Sequence, residues 1–180
     1  MISSLQRLVR TPYFDTYLNH LTTDDLLEAL AQSEVFMIDV LKDLNDQDLQ
    51  KRYAEEKWTI AEVVHHIIET EMIFNYRALR IAREQEHQDI EGFDENKYVE
   101  ASHLEGFSVT ELIQFFKAQR QSTMLLLKTF TPEQLQKTGL ASGKEVQTEA
   151  LFYITAGHTI HHALSLIHIS EPTRPLYISY

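Results

Sequence analysis

The sequence predicts an all-α fold, a four-helix bundle with a long crossover between its second and third helices. Three observations carry that expectation. Five Gly and four Pro in 180 residues leave too little turn material for an all-β domain of this length. Separate stretches of the chain repeat apolar residues at helical spacing. Two of those stretches open with a capping box, in which a Ser or Thr and a Glu three residues later satisfy each other's free backbone N–H. The length suits one domain with a real core better than two.

The first long helix starts at Thr23, Asp24 and Asp25 and carries Leu26, Leu27, Leu30, Val35, Phe36, Ile38 and Leu41 as an apolar stripe to about Leu44. Thr59 and Glu62 form a capping box and open the second, from Ile60 to about Arg83. The polar stretch EQEHQDIEGFDENKYVEASHLEGF, residues 84–107, reads as a surface crossover. Ser108 and Glu111 repeat the capping box, and the third helix runs through Leu112, Ile113, Phe115, Phe116 and Met124 to about Phe130. After GLASGKEVQ, read as a loop, the fourth begins near Thr148 and reaches at least Ala163. A weak repeat supports two related helix pairs: LKDLNDQDLQK at 41–51 matches LKTFTPEQLQK at 127–137, each between two long helices. With Thr131 as cap and Pro132 in the first helical position, both copies read as short helical linkers.

The end of the chain stands apart. LSLIHISEPTR, residues 164–174, resembles the one-frame translation of a transposase sequencing adaptor. Residues 164–180 are therefore expected to be foreign to the domain, which is assigned to residues 1–163, and the fourth helix to have lost its own ending beyond His162.

Composition narrows the function. A net charge of −11 repels phosphate backbones and anionic membrane surfaces, so neither nucleic acid nor membrane is an expected partner. No run approaches the apolar length of a membrane span, and the start lacks the pattern of a secretory signal, which favours the cytoplasm. The absence of Cys removes disulfides, thiolate ligands and a cysteine nucleophile; any metal must be held by nitrogen and oxygen.

Nine His supply the nitrogen. In AGHTIHHALS, His158 and His162 lie one helical turn apart, so both rings project from one face. Apolar residues surround that helix, and imidazoles buried there need a partner, either a core carbonyl or carboxylate or a metal ion. A third ring must come from elsewhere, and WTIAEVVHHIIETE offers His65 and His66 on the second helix. Periodicity alone leaves that choice open, since both fall on flanks of the apolar face. His20, His87 and His103 lie in expected loops or ends and read as exposed. Phe36, Phe74, Phe115, Phe116 and Phe152 read as core.

Taken together, RYAEEKWTIAEVVHHIIETE, FNYRALRIAR, GFDENKYV and AGHTIHH, in that order, resemble the DinB-like (YfiT-like) family of four-helix-bundle metalloproteins. The resemblance spans about residues 10–163. It implies that the His eight residues after Trp58, His66, is a metal ligand, with His158 and His162 completing the set. His65 and His161 become neighbours of the site. Glu69 and Met72 depart from the family, whose members usually carry Asp and Arg there, so the groups behind the ligands are expected to differ.

Three neutral imidazoles would hold one divalent ion, zinc or nickel first, with an open position. The resemblance implies a metal-dependent transferase that directs a low-molecular-weight thiol onto a small electrophilic substrate, with a metal-assisted hydrolase as a close variant. A stress-associated bundle that binds metal or protein without turnover is the alternative. A homodimer through a flat helical face is the assembly that the resemblance implies. Glu62 and Glu69 could orient ligands or act as acid or base, but capping explains Glu62 and surface solvation Glu69 equally well, so neither is given a catalytic role; Trp58, Tyr76 and Arg77 are read as packing and salt-bridging groups. An enzyme should show a cleft leading to the open metal position; a structural site should be sealed.

Overall fold

The computed structural model describes residues 5–84 and 89–170. A short helix α1 (Asp15–Leu18) precedes the first long helix, α2 (Leu26–Leu41). Then come α3 (Ile60–Arg83), a short α4 (Glu95–Ala101), α5 (Val109–Leu127), a short α6 (Pro132–Gln136), the strands β1 (Thr138–Ala141) and β2 (Lys144–Gln147), and α7 (Thr148–Ser170). The bundle helices are α2, α3, α5 and α7. Both expected capping boxes are formed, Thr59 with Glu62 and Ser108 with Glu111, so the starts of α3 and α5 are fixed by local sequence.

Helices α2 and α3 each pack on both α5 and α7. Consecutive members of each pair, α2 with α3 and α5 with α7, therefore face each other across the bundle's diagonals. The two linkers that join them contain a 3-10 turn at Asp48–Gln50 and α6, in keeping with the repeat. The long connection from α3 to α5 joins neighbours, so its length is not needed to span the bundle.

The described part of that connection beyond residue 88 is more ordered than its polarity implies. It carries α4, buries Ile90 and Val99, and bridges to the strand pair through Ile90 N–H to the Leu140 carbonyl at 3.0 Å and Ser142 N–H to the Ile90 carbonyl at 2.8 Å. The segment read as a loop, GLASGKEVQ, is instead part of an antiparallel hairpin that pairs Ala141 with Lys144. Its two turn residues, Ser142 at φ 56 and Gly143 at φ 71, both lie in the left-handed region, as a two-residue hairpin turn of the primed type requires.

The core falls into two apolar clusters. One gathers Leu30, Phe74, Ile81, Phe152 and Ile154; the other gathers Met37, Ile67, Phe116, Ala163 and Leu166. Of the segment expected to be foreign, residues 164–170 continue α7 and bury Leu166 and Ile169. Residues 171–180 and His87 lie outside the described residues. No described helix is long and apolar enough to cross a membrane.

Candidate metal centre

Helix α3 begins directly after Trp58, and the Thr59 cap sets its register so that the indole lies 4.9 Å from the His66 ring, centroid to centroid. His66 sits two turns into the helix on the side that meets α7. On α7, His158 and His162 lie one turn apart and meet edge to face with ring centroids 4.4 Å apart, as their spacing allows. The His66 ring lies 5.1 Å from His158 and 5.2 Å from His162. One ring nitrogen of each of the three lies within 4.8 Å of the other two, and His66 Nε2 is 3.2 Å from His158 Nε2. Three nitrogens bound at about 2.0–2.1 Å in tetrahedral geometry would stand about 3.3 Å apart. The His66–His158 pair already has that spacing, and no pair of the three exceeds 4.8 Å.

The other two candidates point elsewhere. His65 turns toward Phe115 of α5 and places Nδ1 3.6 Å from Glu69 Oε2. His161 turns outward against His20, with Nε2 of His20 3.3 Å from Nδ1 of His161. His20 is thus half-buried rather than exposed, because α1 and the turn after it fold back onto α7 instead of trailing as a loop; His103 is exposed. Glu62 caps α3 as expected, and Met72 is exposed.

His66 and His158 are only 4% and 5% exposed, yet among the described residues no carbonyl or carboxylate accepts from either ring or from His162. The polar neighbours of His66 are His158 and the Thr70 hydroxyl, 3.4 Å from Nδ1. Such a set is poorly satisfied as a hydrogen-bond network and well suited to a cation that shares three lone pairs.

Helix α1 roofs the site. Tyr17 packs edge-on against His158 at 5.1 Å and against His161 at 5.3 Å. The approach depends on Gly157, where an added Cβ would stand 2.4 Å from the Tyr17 carbonyl oxygen. Backbone cannot yield as a flexible side chain does, so Gly157→Ala is expected to push α1 off α7 and cost about 1–3 kcal/mol, read as a lowered midpoint in thermal unfolding. An unchanged midpoint would mean that α1 docks loosely.

Beside His158 opens a cavity of about 210 Å³. Its wall includes Phe14 and Tyr17 from the N-terminal segment, Thr70, Phe74 and Arg77 from α3, and Ser142 from the hairpin turn. The crossover contributes Phe93 and Glu95. The N-terminal segment, the crossover and the hairpin thus close this space over α3 and α7.

Comparison with known proteins then decides the family. The DinB superfamily profile matches residues 29–166. The chain belongs to the DinB superfamily. A relative from Oceanobacillus iheyensis, named as a candidate metal-dependent hydrolase, is 32% identical over 80 residues, 43% of this chain and 46% of that protein. The match thus spans under half of that relative's length. One from Halalkalibacterium halodurans with the same designation is 24% identical over 129 residues, 71% of this chain and 72% of that protein. Among solved structures, YfiT of Bacillus subtilis is described as a candidate metal-dependent hydrolase with an unusual four-helix bundle topology. It matches with a TM-score of 0.68 at 20% identity, over 82% of this chain and 83% of its own. The DinB-like YjoA of the same organism matches with a TM-score of 0.58 at 18% identity, over 84% and 94%.

In this DinB protein, burial sets the protonation of the cluster. Loss of water, then the charge of His65, pushes His66 down from the ordinary 6.5 to about 4. Burial, then His66 and His161, pushes His162 to about 3. Burial, then His162, His66 and His161, carries His158 well below its ordinary value. All three rings are therefore neutral near pH 7, the form a metal requires.

The same shifts bear on the metal-free protein. Between the ordinary value and the lowered ones, the unfolded chain holds protons on these rings that the native chain does not, so acid favours unfolding. Stability is expected to be full above about pH 7. It should decline as pH falls through 6.5 toward 4, by about 1.4 kcal/mol per pH unit for each ring. Urea unfolding of metal-free protein at about pH 7.5, 6 and 5 measures this; a flat profile would mean that the rings are solvated.

Proposed function

We propose that this DinB protein holds one divalent ion, zinc or nickel, on His66, His158 and His162 and acts as a metal-dependent enzyme on a small molecule. The observation that carries the reading is the double position of His158, which belongs to the imidazole cluster and also forms part of the cavity wall. A ligand set that touches a cavity gives substrate access to the ion; a purely structural site would be closed by side chains. Nitrogen donors and the absence of Cys suit zinc or nickel.

When bound, such an ion supplies Lewis acidity, which eases deprotonation of water or a thiol near neutral pH and polarises a carbonyl. The chain's own residues do the rest. The Thr70 hydroxyl near Nδ1 of His66 orients that ring so that Nε2 faces the cluster. Tyr17 and Phe74, on the rings' flanks, exclude water from the imidazoles.

Hydrolysis is the first reading, supported by the designation of the relatives. Transfer of an external low-molecular-weight thiol to an electrophile is the second, favoured by the absence of Cys and by the aromatic cavity wall. The alternative is a non-catalytic metal- or protein-binding bundle. Elemental analysis of protein purified without a metal-affinity tag tests the ion. An activated aryl ester, and an electrophilic aryl halide offered with and without a thiol, then test the chemistry. Metal-dependent ester cleavage supports hydrolysis, thiol-dependent consumption of the halide supports transfer, and neither with metal bound leaves the non-catalytic bundle.

A further inference from the structure

Arg77 is only 6% exposed and forms part of the wall of the cavity beside His158. Its Nη2 donates to the Glu91 carbonyl at 3.2 Å and to the Ser142 hydroxyl at 2.9 Å, while its Nε is buried with no hydrogen-bond partner. Among the described residues no carboxylate lies within ion-pair distance of this guanidinium. The rings of Phe74 and Phe93 lie 5.9 Å from its Cζ. Desolvation, set against a more distant Asp89, lowers the Arg77 pKa, as expected of a cation short of a counterion. A buried guanidinium with unused donors is costly unless something anionic completes it.

The cavity supplies the room. Phe74, also in its wall, lies 6.4 Å from the His158 ring and 5.9 Å from the Arg77 guanidinium. An apolar cavity of about 150 Å³ takes up benzene, so 210 Å³ accommodates one substituted ring or a short branched chain. Glu95 and Lys144 also line it, but both are exposed and of opposite sign, and no ion pair joins Glu95 to Arg77.

We propose that Arg77 anchors the carboxylate of an aromatic or branched aliphatic acid whose reactive end lies at the histidine cluster. This rests on the metal-dependent reading above and names the substrate class for that same site. The competing view makes Arg77 a strut that only ties the crossover and the hairpin to α3.

The test uses hydrocinnamate and its neutral amide, hydrocinnamamide, titrated calorimetrically into the full chain with and without zinc. The acid is expected to bind at least about tenfold tighter than the amide in both forms, a ratio worth about 1.4 kcal/mol. Arg77→Met should erase the preference, and Arg77→Lys should keep part of it. Since Arg77 also ties two loops, the wild-type protein labelled with nitrogen-15 gives a second reading: the Nε–H resonance of Arg77 should move with the acid and not with the amide. Equal affinity of acid and amide, a preference that survives in Arg77→Met, or an unmoved Nε–H would overturn the proposal. A preference retained in a chain that fails to bind zinc would uphold the anchor and sink the metal reading alone.

Discussion

Zinc or nickel added to metal-free protein is expected to raise its unfolding midpoint, and His158→Ala to abolish that rise. An ion at a hundred times its dissociation constant stabilises a native state by about 2.7 kcal/mol. For a chain of this size, that corresponds to about 5–10 °C. His158 is the decisive position because, of the three rings, it is the one that also forms part of the cavity wall, 5.1 Å from His66 and 4.4 Å from His162. Without it the two remaining nitrogens cannot fix an ion at the wall of the cavity. His66→Ala and His162→Ala should behave alike. His65→Ala and His161→Ala should keep the rise, since those rings face Phe115 and His20. Differential scanning fluorimetry of the five variants with and without metal measures this. A rise of wild-type size in His158→Ala would remove the proposed centre.

Much of this arrangement is legible in the sequence because it is local. The Thr59–Glu62 box fixes the start of α3, and the four-residue spacing in α7 brings two rings together without help from the rest of the fold. The choice between His65 and His66 was not local. Both lie on flanks of an apolar face, and periodicity cannot weigh a flank packed on α5 against one packed on α7; the family resemblance pointed to His66, and the geometry places that ring with the other two. The hairpin carried a readable signal, Ser142–Gly143, a pair compatible with left-handed turn residues, but its strands are too short to show clear alternation. The docking of α1 had only Gly157 as a trace. A helical Gly says that something comes close and not what. The sequence marks Arg77 only as a packing and salt-bridging group; what distinguishes it, burial without an ion pair beside a cavity, exists only once the crossover and the hairpin have folded over it.

The buried pair of Arg120 and Glu71 carries the largest expected effect on stability. The side chains are 0% and 1% exposed and meet through two parallel bonds, Nε to Oε1 at 3.0 Å and Nη2 to Oε2 at 2.9 Å. Arg120 also donates to the Leu30 carbonyl and the Ser33 hydroxyl of α2 and to the Thr159 hydroxyl of α7, so one guanidinium on α5 touches the other three bundle helices. Glu71→Leu strands a cation that cannot lose its proton, and a loss of about 3–5 kcal/mol is expected. Against a total stability of about 5–15 kcal/mol, that brings the chain close to unfolding. Arg120→Met should cost less, because a stranded carboxylate can be neutralised by a proton.

Removing both charges is a different matter. In Glu71→Leu/Arg120→Met the hydroxyls left behind keep local acceptors, Ser33 on the Leu30 carbonyl at 2.9 Å and Thr159 on the Thr155 carbonyl at 3.0 Å. The double variant should therefore recover most of the lost stability, as apolar replacements of buried pairs often do. What it should not recover is registry. Thr159 is the neighbour of His158 and Glu71 lies five residues beyond His66, so the network that ties α3 to α7 also sets the distance between the imidazoles they carry. Zinc affinity in the double variant is expected to fall by about tenfold or more, the scale seen when groups supporting a metal ligand are lost. Urea unfolding and zinc calorimetry on the two single variants and the double variant separate the effects. Recovered stability with undiminished affinity would show that the pair holds the bundle together without positioning its histidines.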